Sequence, residues 1–170
     1  RGTAQALGYE PEHVEIVIYQ WVSFLRDGVP LAMSKRAGTF VSLDELIDEV
    51  GTDAARFHLL MFSNDVTMKF DIEAVKRQTM ENPVFYVQYG HARIASILRK
   101  AAERGVEIRP IEEADLSRLE DEAELDVLRA LADVPSQIAT AAETRGPHRL
   151  THAAQDLAAR FHRFYTECPV

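Results

Sequence analysis

A mainly α fold with a short α/β beginning is predicted by three features of the chain. Residues 14 to 25, VEIVIYQWVSFL, are β-branched and aromatic. The apolar period changes to a helical one at Ser42, and from Pro83 onward helical patterns follow one another to the end of the chain. The 170 residues suffice for one sizeable core, or for one domain and part of another. At 46% hydrophobic and 27% charged residues the composition is ordinary for a globular protein, and no apolar run approaches the ~20 residues of a membrane span.

The first elements have recognisable boundaries. RDGVP, 26 to 30, supplies turn chemistry after one or two strands. SLDELIDEVG reads as a helix with Ser42 as N-cap, Glu45 completing a capping box, and Gly51 past its end. A second helix, AARFHLLMF, is expected to be capped by Thr52 or Asp53, and SNDVTMKFD is a connector extended at its apolar positions. Asp71 caps IEAVKRQTM. Pro83 opens a helix running to about Glu103, with Gly105 as its stop. Residues 106 to 121 form an acidic link with room for a short helix. EAELDVLRALADV, PSQIATAAETRG and PHRLTHAAQDLAARFHRFYTEC follow as helices, the last two each opening with proline. The final one carries Leu150, Ala153, Ala154, Leu157, Phe161 and Phe164 along one stripe.

The net charge of −8 conceals an uneven distribution. Residues 76 to 109 hold seven Lys and Arg against three Asp and Glu, whereas 110 to 133 hold two against nine. A specific RNA surface needs only a local basic face, so an acidic total excludes little. Cys168, the one cysteine, has no disulfide partner, and RGTAQALGYEPEH lacks the apolar stretch of a signal peptide. A reducing, cytoplasmic location is expected.

On a wheel for the helix 83 to 103, Val84, Val87, His91, Ile94, Ala95 and Leu98 share one stripe, expected to face the core. Tyr86, Tyr89, Arg93, Ser96 and Lys100 fall opposite. Tyrosine rings can stack on unpaired bases while arginine and lysine hold phosphates, so this face is a candidate for RNA contact. A helix covered on both sides, or a protein contact, explains the same pattern. His91 reads as a core histidine with a hydrogen-bond partner. His148, His152 and Asp156 share a helical face, but Arg149 stands where a helical zinc-protease motif requires Glu, and a polar face is the simpler explanation; no metal site is expected. Neither a Ser/His/Asp arrangement nor a Gly-rich phosphate cradle is present.

AMSKR, 32 to 36, resembles the KMSKS loop of class I aminoacyl-tRNA synthetases. GTDAARFHLL followed by ENPVFYVQYGHARIASILRKA is similar to arginyl-tRNA synthetases in particular, and these pieces with FHRFY occur in that family's order over nearly the whole chain. The resemblance implies activation of L-arginine by ATP, with Mg2+ accompanying the nucleotide, and transfer to tRNA(Arg) by a monomeric enzyme. It implies that Lys35 contacts the leaving phosphates, Ser34 helps to hold ATP, Met33 packs near adenine and Gly38 permits closure of the loop. It places anticodon-loop contacts on Tyr86 and Tyr89, the two rings that the wheel turns outward beside Arg93 and Lys100, and a further contact on Tyr165. The implied layout is the end of a Rossmann-type catalytic core (1 to 45), a helical stem-contact region (46 to 80) and an anticodon-binding bundle (81 to 170).

Two residues depart from the motif. Ala32 stands where the motif opens with lysine, and Arg36 replaces its final serine. With no His-Ile-Gly-His-type signature present, the chain reads as an internal fragment, inactive by itself. A non-catalytic RNA-binding module derived from a class I synthetase, or a synthetase of that class with another specificity, are the alternative readings.

Overall fold

The computed structural model describes residues 2 to 33, 38, 40 to 107 and 109 to 168. The chain is mainly helical, with one small sheet. After a short helix α1 (Gly2–Ala6) come strands β1 (Val22–Arg26) and β2 (Val29–Pro30), then helices α2 (Leu43–Val50) and α3 (Thr52–Leu59). Strand β3 (Met68–Asp71) and helix α4 (Ile72–Lys76) lead to three long helices, α5 (Pro83–Glu103), α6 (Glu122–Glu143) and α7 (His148–Glu167).

Strand order is β2-β1-β3, with β1 antiparallel to β2 and parallel to β3. The hairpin turns through Asp27 at φ 51° and Gly28 at φ 79°, the pair of positive angles that a two-residue turn between twisted strands requires. Leu46, Met68, Phe70, Ile72 and Val75 form the core beneath the sheet, with Val22, Phe24, Leu31 and Leu59 packed around them.

Capping side chains set the helix starts. Ser42 and Glu45 form the reciprocal capping box of α2. Asp71 does two jobs: Oδ1 accepts from the Glu73 and Ala74 amides to start α4, and Oδ2 accepts from the Gly28 amide at 2.6 Å to hold the hairpin turn. These donors, Gly28 first, hold its carboxyl below the usual aspartate range. Asn82 is buried between α4 and α5. Its Oδ1 accepts from the Val84 amide, and its Nδ2 donates to the carbonyls of Val75 at 2.8 Å and Arg77 at 2.7 Å.

An ion cluster ties β1 to α2 and α4. Arg26 Nη1 lies 2.7 Å from Glu49 and 2.6 Å from Glu73, and Lys76 Nζ reaches both carboxylates. The Arg26 hydrogen bond pulls Glu49 down to about 2, against the ordinary 4.5, and the same contact raises Arg26.

Several elements differ from expectation. Residues 14 to 21 are not strand: Gln20 and Trp21 still bond the backbone of Asn64 and Met68, but the stretch before them pairs with no strand among the described residues, and Ile18, Tyr19 and Trp21 are strongly exposed. Gly51, not Thr52 or Asp53, occupies the cap position of α3. The link holds two single 3-10 turns, Ile111–Glu113 and Leu116–Arg118, in place of one short helix. α6 runs straight through Pro135, where two helices were expected. Proline removes one intrahelical hydrogen bond, yet buried Ala123 and Ala141 lie near the two ends of α6, so packing on both sides of Pro135 favours continuing the helix. No described helix is long and apolar enough to cross a membrane.

Candidate nucleic-acid interface

Of the expected apolar stripe on α5, Val84 is buried and Val87 half-buried, whereas His91 and Ala95 are exposed and Ile94 and Leu98 retain 42% and 49% of their surface. α7 crosses between the two faces, over Gly90, so that Val87 and Ile94 of the stripe line an open cavity with Leu157 and Phe161 of α7. That glycine is buried, and a Cβ built there would stand 3.7 Å from both Ala158 and the imidazole of His162. The face that holds Tyr86, Tyr89 and Arg93 therefore also meets α7, through His162. His91, expected in the core, lies at the surface for the same reason.

The approach of the helices builds an aromatic and cationic cluster. The Arg93 guanidinium lies between two tyrosine rings, 4.4 Å from the centroid of Tyr89 and 4.6 Å from that of Tyr165. Its Nη2 donates to the Tyr89 hydroxyl at 3.2 Å, and its Nη1 meets His162 Nδ1 at 3.1 Å. Phe85 stacks one turn before Tyr89 at 6.1 Å, which makes a ladder of Phe85, Tyr89 and Arg93 along α5. The Tyr86 ring stands edge-on to His162 at 4.6 Å and is half-buried rather than outward, while Tyr89 keeps 36% of its surface.

Four of the residues singled out for RNA contact thus come together: Tyr86, Tyr89, Arg93 and Tyr165. Lys100 lies two turns beyond Arg93 on α5 and is exposed. Among the described residues, Arg93, Arg99 and Lys100 have no carboxylate within ion-pair distance. Three arginines of α6 and α7 differ: Arg129 pairs with Glu122 and Asp126, Arg160 with Asp156, and Arg163 with Glu167, while Arg149 has no carboxylate partner among the described residues. α5 thus carries three cations that no described carboxylate pairs.

Sequence reasoning missed His162, which is 9% exposed at the centre of the cluster. Its spacing of three from Tyr165 within FHRFY puts both on one face of α7, which was the available signal. In the other candidate region, Ser34 and Lys35 lie outside the described residues, Met33 is 44% exposed, and Gly38 adopts φ 67°, a backbone angle that glycine takes without strain. His148 and His152 stack edge to face at 5.9 Å, and among the described residues no group of three or more His, Cys, Asp or Glu is placed to hold a metal ion.

Comparison with known proteins gives these features a context. Residues 87–170 match the DALR anticodon binding domain. Over all 170 residues the chain is 49% identical to an arginine–tRNA ligase of Moorella thermoacetica, and it is 47% identical to one of Heliobacterium modesticaldum. It spans 30% and 31% of the length of those relatives. Among solved structures, one assigned to an arginyl-tRNA synthetase of Campylobacter jejuni aligns with a TM-score of 0.82 at 32% identity, covering 98% of this chain and 36% of the other. The Thermus thermophilus arginyl-tRNA synthetase aligns at 0.67 with 28% identity, covering 86% and 26%.

Proposed function

Because the chain belongs to the arginyl-tRNA synthetase family, we propose that it is the part of an arginine–tRNA ligase that supplies the phosphate-handling loop and the anticodon-binding helices. The observation that carries this reading is the 49% identity to an arginine–tRNA ligase over every residue of the chain. The uncompensated guanidinium of Arg93 between Tyr89 and Tyr165 supports it from the side of RNA binding.

Residues 1 to 45 end the Rossmann-type catalytic core, 46 to 80 form the stem-contact region, and 81 to 170 the anticodon-binding bundle. The full enzyme works as a cytoplasmic monomer on L-arginine, ATP and tRNA(Arg). Magnesium enters with ATP as part of the substrate. In the first step the arginine carboxylate attacks the α-phosphorus and pyrophosphate leaves. Lys35 stabilises the charge growing on the departing oxygens, Ser34 holds the nucleotide, and Met33 packs by the adenine. In the second step a terminal ribose hydroxyl of the tRNA attacks the carbonyl carbon of the arginyl-adenylate and AMP leaves, while Tyr86, Tyr89, Arg93, Lys100 and Tyr165 hold that tRNA at its anticodon loop.

The test is arginine-dependent ATP–pyrophosphate exchange by the full-length enzyme. Lys35→Ala is expected to slow it by about 10² or more while tRNA affinity stays unchanged. Residues 1 to 170 alone are expected to show no exchange. Equal rates for parent and variant would remove Lys35 from the mechanism, and a full-length protein that binds tRNA but exchanges nothing even with tRNA(Arg) in the assay would favour the non-catalytic reading that Ala32 suggests.

A further inference from the structure

His162 is the one buried imidazole in contact with the cluster, and its two nitrogens face partners of opposite kind. Nδ1 stands 3.1 Å from Nη1 of Arg93, and Nε2 stands 3.2 Å from the Tyr86 carbonyl oxygen. A guanidinium only donates and a carbonyl only accepts. Both contacts are therefore hydrogen bonds in a single form of the ring: neutral, with a bare Nδ1 that accepts from Arg93 and an Nε2–H that donates to Tyr86. Gly90 leaves the space for this, because the ring lies over its missing side chain.

We propose that His162 is the positioning residue that orients Arg93 for an RNA phosphodiester. Arg93 has a long, flexible side chain, and its guanidinium lies over the rings of both Tyr89 and Tyr165. With two rings already against it, it offers a ligand the N–H groups along its edge. Two of its five N–H groups are engaged, by His162 and by the Tyr89 hydroxyl, and the others are left for an acceptor. A carboxylate in place of His162 would hold the guanidinium as firmly but would cancel its charge. A neutral imidazole fixes the direction and leaves the charge for phosphate. This inference rests on the assignment of the face to tRNA binding.

The experiment measures tRNA affinity against salt concentration for the full-length enzyme and its variants. Arg93→Ala should weaken binding about tenfold or more and reduce the salt slope by up to about one unit. His162→Gln keeps a donor toward Tyr86 but loses the acceptor for Arg93; binding should fall about three- to tenfold, with the same reduction of slope. His162→Asn presents an amide oxygen in the position of Nδ1 and should bind within about twofold of the parent. Combined with Arg93→Ala, His162→Gln should add less than about a further twofold, because its effect passes through the missing guanidinium. The positioning role is overturned if His162→Gln binds like the parent, if His162→Asn is as weak as His162→Gln, or if the double variant loses the product of both effects.

A measurement without substitution stands beside these. Nitrogen-15 chemical shifts of His162 in the parent enzyme at mildly alkaline pH should report a protonated Nε2 and a bare Nδ1, and the reverse tautomer overturns the proposal even where a variant fails to fold. If Arg93→Ala binds tRNA like the parent, the RNA assignment of the face fails. If Arg93→Ala is weak and His162→Gln is not, only the positioning role fails.

Discussion

Arg26 and Arg93 carry the same cation into opposite surroundings. Arg26, on β1, is clasped by Glu49 and Glu73, with Lys76 closing the cluster. Arg93, on α5, is held as closely, by two tyrosine rings, a hydroxyl and an imidazole, none of which bears a negative charge. The difference separates two uses of arginine. Around Arg26 the charge is spent inside the protein, joining three elements of the small α/β region. Around Arg93 the geometry is fixed and the charge remains available to a ligand.

Asn82 stands at the joint between these regions, and breaking that joint should have the largest effect. Asn82→Ala removes the cap of α5 and strands two backbone carbonyls, those of Val75 and Arg77, one of them at a buried contact. Hydrogen exchange on the full-length enzyme should show the start of α5 destabilised by about 3 kcal/mol. Unchanged protection there would mean that the two regions are held together by other contacts.

The two arginines are next exchanged for alanine in turn. Arg93→Ala should lose about 1.5 to 3 kcal/mol of tRNA binding, the usual range for a hydrogen bond to a charged group, beyond any fall in melting temperature from leaving His162 Nδ1 without its donor. Arg26→Ala should lower the melting temperature and leave tRNA affinity within about twofold. Filter binding and thermal melting on both variants decide the matter, and a loss of tRNA affinity in Arg26→Ala would erase the distinction.

A smaller effect sharpens the Arg26 side. Glu49 has a folded-state value of about 2 against an ordinary 4.5, so its contribution to stability is complete above pH 4.5 and is lost as pH falls toward 2. Glu49→Gln should flatten the acid side of a plot of melting temperature against pH within that window. The exposure of this cluster keeps the effect modest. An acid branch identical to that of the parent would show that other carboxylates produce it.

What could be read from the sequence was whatever a few neighbouring residues decide. The capping box of Ser42 and Glu45, the cap at Asp71, the Asn82–Pro83 start of α5 and the stop at Gly105 are all local, and they occur where expected. The grouping of Tyr86, Tyr89 and Arg93 followed from helical periodicity alone. Periodicity could not say which side of α5 would be covered, because that depends on where α7 crosses. Leu98 and Ile94 look like core on the wheel, yet α7 passes over Gly90 between the two faces, which leaves Leu98 and Ile94 about half exposed and partly covers Tyr86 and Arg93. The continuity of α6 through Pro135 likewise rests on partners distant in sequence. His162 was obscured because a histidine gains its role from what its two nitrogens meet, and here those partners lie on α5.

The parallel pairing of β1 with β3 also bears on the order in which the chain acquires its structure. Val22 can meet Met68 only after β2, α2 and α3 have been laid down between them, so the sheet closes over a long loop. α6 and α7 are joined by a tight turn through Arg145 and Gly146, and they can dock as soon as both are synthesised. Contacts so near in sequence form quickly, whereas parallel strands separated by folded elements form slowly. The region that fixes Arg26 precedes the bundle in the chain but has the higher entropic barrier, and its sheet is the step expected to limit the rate of refolding.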